Sequence, residues 1–151
     1  MKFRHALIAV AVLALAACGG GPVKRVSEPA AGIQQLTVRA DGRWDVVVRL
    51  DNFSSVPMRF TSAKLDIAFD NGPAASIQAQ PGISIGPESA DVFTATLTPL
   101  PAGRARLANA LADGQGLSYN LVGTVDAGPE DGNSRSYKIE RKSALSPVPG
   151  L

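Results

Sequence analysis

A period-two alternation of apolar and polar side chains runs through most of this chain and confines it to strands. Trp44, Val46, Val48 and Leu50 share one face of a segment whose other face carries Asp45, Arg49 and Asp51. Successive side chains on a strand point to opposite sides, so such a segment buries one face and wets the other. Leu36 and Val38 alternate with Thr37 and Arg39, and Asp41-Gly42 supplies a hairpin turn. Met58 and Phe60 continue into Leu65, Ile67 and Phe69, with Lys64 and Asp66 facing out. Asp70-Asn71-Gly72-Pro73 is a strong turn signal. Ala75 to Gln80 predicts a short strand around Ile77, and Pro81-Gly82 and Gly86-Pro87 bracket Ile83 to Ile85. Val92 to Leu97 is a Thr-rich strand. Leu117, Tyr119, Leu121 and Val125 alternate again, a polar loop runs from Ala127 to Arg135, and Tyr137 and Ile139 mark the last strand.

One segment breaks the rhythm. Between Pro101 and Asp113, Leu107, Ala110 and Leu111 recur at helical spacing, with Pro101 near the start and Gly114 beyond the end. Six to eight short strands and one brief helix predict an all-β antiparallel sandwich.

The first residues follow different rules. Lys2 and Arg4 precede an unbroken apolar run from Ala6 to Ala17. As a helix this run is about 18 Å long, too short for a bilayer core of about 30 Å. A basic start, a short apolar stretch and small residues before a break predict a secretory signal helix over residues 1–17. Leu15-Ala16-Ala17-Cys18, followed by Gly19, resembles the lipobox of bacterial lipoproteins. That resemblance implies that the Cys18 thiol takes diacylglycerol, the leader is cut before it, and the new amine is acylated, so that palmitate labels the protein. Two or more acyl chains anchor stably, at about 0.8 kcal/mol per buried methylene. In lipoproteins of Gram-negative bacteria glycine rather than aspartate after the cysteine goes with export to the outer membrane, so the resemblance also implies an outer-membrane anchor, with the domain in the cell envelope and facing the periplasm. Membrane lipid is then the first partner.

Removing residues 1–17 leaves 134, enough for one domain that buries its own core. Without Lys2 and Arg4, 13 basic residues balance 13 acidic ones. Nucleic acid and anionic surfaces demand a basic excess, so neither is the expected partner. The only histidine, His5, leaves with the leader, and Cys18 is the only cysteine. A lipidated mature chain therefore has no thiol or imidazole for zinc, for a catalytic triad or for a disulfide. No metal, cofactor or catalysis is expected. Residues 18–32 form a lipidated cysteine and a tether rich in Gly, Pro and Ala, about thirteen flexible residues spanning on the order of 20 Å. Residues 33–142 form the sandwich, and residues 143–151 a loose tail.

The order of segments within the domain resembles the bacterial branch of the late-embryogenesis-abundant (LEA) type 2 proteins. Their domain is also named WHy, for water stress and hypersensitive response. The resemblance rests on Val48-Arg49-Leu50-Asp51-Asn52 leading to Val56-Pro57-Met58-Arg59-Phe60, then the hairpin through Leu65 to Phe69. The Pro-Gly-Ile-Ser-Ile-Gly-Pro stretch at 81–87, the short helix, and Tyr119-Asn120-Leu121-Val122-Gly123 complete it. The chain has Asn52-Phe53 where the family commonly has Asn-Pro. The resemblance implies an immunoglobulin- or fibronectin-III-like sandwich without enzymatic activity. It also implies stress protection, envelope maintenance, or binding of an apolar ligand, lipid or protein partner.

Few residues offer chemistry. Glu130-Asp131, the one adjacent acid pair, lies among Gly, Pro and Asn, as a solvated loop does. Ser62/Lys64 and Ser136/Lys138 are same-face pairs that a serine–lysine dyad needs, on the expected solvent face. Trp44 serves either core packing or ligand stacking. Tyr119 is placed for a tyrosine corner, its hydroxyl bonded to backbone. Gly123 marks a bulge or a close backbone approach. Leu107 and Leu111 either close an open end of the sandwich or, with Trp44, line an apolar groove.

Overall fold

The computed structural model describes residues 20–70 and 72–148. The signal helix, the lipobox Leu15 to Ala17 and Cys18 lie outside the described residues. The elements are β1 (Ala30–Val38), β2 (Trp44–Asn52), β3 (Met58–Phe69), β4 (Gly72–Ala79), β5 (Ile83–Ile85) and β6 (Ser89–Leu97). They continue with α1 (Pro101–Ala112), β7 (Leu117–Pro129) and β8 (Arg135–Leu145). One sheet has the order β1-β2-β6; the other runs β4-β3-β7-β8, with β5 extending the β4 edge along β3. Every pairing is antiparallel. The two sheets make the predicted all-β sandwich, with one short helix at its end.

The core is the alternation read inward. Trp44, Val46, Val48 and Leu50 of one sheet meet Met58, Phe60, Leu65, Ile67, Leu121 and Val125 of the other, all at most 1% exposed. Each such side chain contributes roughly 1.5–3 kcal/mol when fully buried. Trp44 and Phe69 stack obliquely, ring centres 5.9 Å apart. The phase of the alternation slips within β3, from even positions (Met58, Phe60) to odd ones (Ala63, Leu65, Ile67, Phe69). A register irregularity between Phe60 and Ser62, against β7, absorbs that slip. A second, between Ile67 and Ala68, leaves both Ala74 and Ala75 of β4 buried.

Three segments differ from the sequence expectation. β7 continues through Ala127 to Pro129, because small residues there pair with the start of β3. β8 runs to Leu145, pairing with β7 along its whole length. β1 begins at Ala30, and the residues before it are fixed rather than loose. The Arg25 and Ser27 amides donate to the Ser55 and Ser54 hydroxyls, at 2.8 and 2.9 Å, and the Ser55 amide donates to the Arg25 carbonyl at 2.9 Å. Lys24 pairs with Asp131 at 2.9 Å.

The chain thus enters at one pole, beside the β2–β3, β5–β6 and β7–β8 connections. The helix occupies the opposite pole. Its N-terminus is fixed by the Leu100 amide, which donates to the Ala74 carbonyl at 2.8 Å. Pro101 occupies the first turn, where a missing amide costs nothing. At the far end Gly114 adopts φ +62, and the Gln115 amide donates back to Ala110 at 2.9 Å. Gly103 rests on β4: a Cβ there would lie 2.6 Å from the Ala74 Cα and carbonyl oxygen.

Candidate functional site

A concavity of about 720 Å³ opens between the second half of β1, the end of β8 and the C-terminal half of α1. Its size falls within the roughly 300–1,000 Å³ of small-ligand sites. Leu107 and Leu111 both line it, Leu107 buried and Leu111 half exposed. Trp44 does not line it: the ring is wholly buried between the sheets against Phe69. Its indole N–H finds no acceptor among the described residues. The wall is otherwise built by Leu36, Val38, Leu117 and Leu145, interspersed with Gln34, Gln35, Thr37, Gln115 and Ser146. No ionisable side chain contributes to it among the described residues.

The sandwich is closed just beside this opening by Tyr119. From β7 its hydroxyl crosses to the other sheet and accepts the Ile33 amide at 3.0 Å. This is a structural tyrosine, but the bond spans the two sheets rather than closing a corner within one. Ile33 also begins the register irregularity of β1, between Ile33 and Gln35. Next to it, Arg141 of β8 lies across Gly32, its Nε 3.0 Å from where a Cβ would sit. Gly123 is a close approach rather than a bulge, since a Cβ there would collide with the Lys64 carbonyl oxygen of β3.

The serines of the two serine–lysine pairs converge on one carboxylate. Ser62 and Ser136, on the strands flanking β7, each donate to Asp126 at 2.6 Å. These hydroxyl bonds, Ser136 foremost, hold the Asp126 carboxyl below its ordinary 3.8, with help from the Lys64 charge. Both hydroxyls are thereby donors to an anion. Asp131 of the acid pair faces Lys24, whose bond and charge lower its carboxyl in the same way. Among the described residues, no three acidic, histidine or cysteine side chains gather as metal ligands do, and no helix is long and apolar enough to cross a membrane.

A polar knot at the entry pole escaped the sequence reading. The Nδ2 of Asn52, 1% exposed, lies 2.9, 3.0 and 2.9 Å from the carbonyl oxygens of Val56, Ile85 and Gly86, which share its two N–H donors. Its own carbonyl oxygen accepts the Ser54 amide at 2.9 Å. Ser54, also buried, accepts the Ser27 amide and so ties the incoming chain to the knot. A buried Asn between a strand and a Ser-rich turn was the available signal.

No family model matches the chain, and no curated protein matches it. Solved structures do. A solution structure from Arabidopsis thaliana, AT1g01470, superposes with TM-score 0.52 at 11% identity, over 87% of this chain and 85% of that one. A crystal structure of a protein from Archaeoglobus fulgidus gives TM-score 0.46 at 15% identity, covering 82% and 98%. A solution structure described as a candidate late embryogenesis abundant protein gives TM-score 0.47 at 11% identity, covering 99% and 88%. At such identities the first of these likenesses shows a shared fold and nothing further.

Proposed function

We propose that the protein is a non-catalytic, lipid-anchored domain of the cell envelope with a protective or scaffolding role of the LEA type 2 kind. The observation that carries this reading is the geometry of the entry pole. The chain is pinned from Val23 onward by Ser54, Ser55 and Asp131. Only Gly19 to Pro22 then separate Cys18 from a fixed point. Fully extended, that stretch reaches on the order of 17 Å, at about 3.3–3.6 Å per residue. An acylated Cys18 therefore holds the entry pole close to the bilayer and turns the groove pole away from it. The lipobox-like Leu15-Ala16-Ala17-Cys18 and the order of segments that resembles the LEA type 2 family support the same reading.

Labelling growing cells with palmitate tests the anchor. The wild-type chain takes up label and sediments with membranes, and Cys18→Ser does neither. Label retained by Cys18→Ser would refute it. A second reading, a binding module for an apolar ligand, is favoured by the uncharged groove beside Leu107 and Leu111.

A further inference from the structure

We infer that the open half of β1 is a docking edge for an extended, uncharged polypeptide segment, which adds as a strand while its side chains enter the neighbouring groove. This deepens the binding reading above and rests on it.

The edges of the two sheets are not protected alike. β8 carries Arg135, Lys138, Glu140, Arg141 and Lys142, and charged edges repel strand addition. β4 carries Pro73, and the β4 and β5 edge packs against β6. The first half of β1 is sealed, because Tyr119 occupies the Ile33 amide and Arg141 covers Gly32. The second half, Gln34 to Val38, contains no charge and no proline. Among the described residues it pairs with β2 on one side only. This open half is the one that lines the 720 Å³ groove.

The chemistry of the wall selects the occupant. A charged segment would lose its hydration without gaining an ion pair, since no lining side chain among the described residues is ionisable. The alternation of Leu36 and Val38 with Gln35 and Thr37 suits a segment that itself alternates apolar and neutral polar residues. Backbone pairing supplies affinity in strand addition, and pockets for alternate side chains supply selectivity. Leu107, Leu111 and Leu145 form such a pocket here. The bilayer-facing pole lies at the other end, so the edge stays accessible on an anchored protein.

The test uses the full chain in phosphatidylcholine nanodiscs. The probe is a capped, dye-labelled octapeptide alternating valine with threonine or glutamine. Saturable binding is expected, with hydrogen exchange slowed at Gln34 to Val38 and unchanged along β2. Thr37→Lys, at an exposed position, weakens binding about tenfold while leaving the circular dichroism intact. Leu111→Glu does the same from the groove side. A peptide with proline at alternate positions does not bind. Unslowed exchange at Gln34 to Val38, or equal binding by Thr37→Lys, overturns the inference. So does displacement of the peptide by a dansyl-labelled fatty acid, which would assign the groove to acyl chains. Protection that arises from dimerisation without peptide overturns it as well, in favour of a second copy. Uptake of the fatty acid without protection by the peptide fails the edge alone, whereas uptake of neither probe fails the binding reading itself, so the two failures remain distinct results.

Discussion

The Tyr119 hydroxyl accepts the Ile33 amide at 3.0 Å, joining β7 of one sheet to β1 of the other. Both residues are buried, so the amide has no water to turn to if the hydroxyl is lost. Tyr119→Phe is therefore expected to cost about 1–3 kcal/mol, the penalty of an orphaned buried donor. Urea denaturation measures it. A second signature is faster hydrogen exchange at Ile33 and its neighbours while the β3–β7 ladder keeps its protection.

Asn52 holds three carbonyls and one amide that belong to separate segments. Asn52→Ala leaves all four without that partner and is expected to destabilise by about 3 kcal/mol or more. Asn52→Asp is worse, because a carboxylate oxygen would replace the donor facing the carbonyls of Val56, Ile85 and Gly86. Chemical denaturation ranks the two variants. Limited proteolysis near Arg25 should quicken in both as the Ser54–Ser27 contact loosens.

Gly103 is required by contact rather than by dihedral freedom. Gly103→Ala places a methyl against the Ala74 backbone, which cannot rotate aside. Helix propensity favours alanine by about 1 kcal/mol, whereas overpacking costs about 1–3 kcal/mol. The net expectation is a loss of stability, with α1 shifted off β4. A gain in melting temperature would show that the helix moves freely over the sheet.

The carboxyl of Asp126 is held below its ordinary 3.8 by the Ser136 and Ser62 hydroxyls, and that of Asp45 chiefly by the Thr96 hydroxyl. A depressed folded value means that the stabilisation is complete above 3.8 and is lost as pH falls through the lowered value. Stability should therefore be flat near neutrality and decline below pH 3.8. In Asp126→Asn the acid decline should be shallower, with lower stability at pH 7. Thermal melts across that range check both.

The strands were legible because a half-buried sheet writes itself as alternation: Trp44 to Leu50 and Leu65 to Phe69 lie in the core as the pattern demanded. The pattern fades where register slips, so neither the shift between Phe60 and Ser62 nor the irregularity after Ile33 is written in the local alternation. β1 and β7 were read short because Ala30, Ala31 and Ala127 carry too little apolar bulk to announce burial. Leu107 and Leu111 do border the groove, but its uncharged wall depends on bringing β1, β8 and α1 together across the chain. Trp44 shares a sheet face with its cross-strand partner Val38, which does line the groove, but its ring falls outside because it is packed between the sheets against Phe69. The Asn52 knot joins partners up to 34 positions apart, a separation that no local pattern encodes.

The central claim is that Cys18 is the lipid-bearing first residue, so that the pinned segment beyond it fixes which pole meets the bilayer. Intact-mass spectrometry of the protein extracted from membranes tests it most directly. The predicted result is a polypeptide beginning at Cys18 whose mass exceeds that of the bare chain by a diacylglyceryl group and an amide-linked acyl chain. A mass matching an unmodified thiol, or a chain beginning elsewhere, would contradict it.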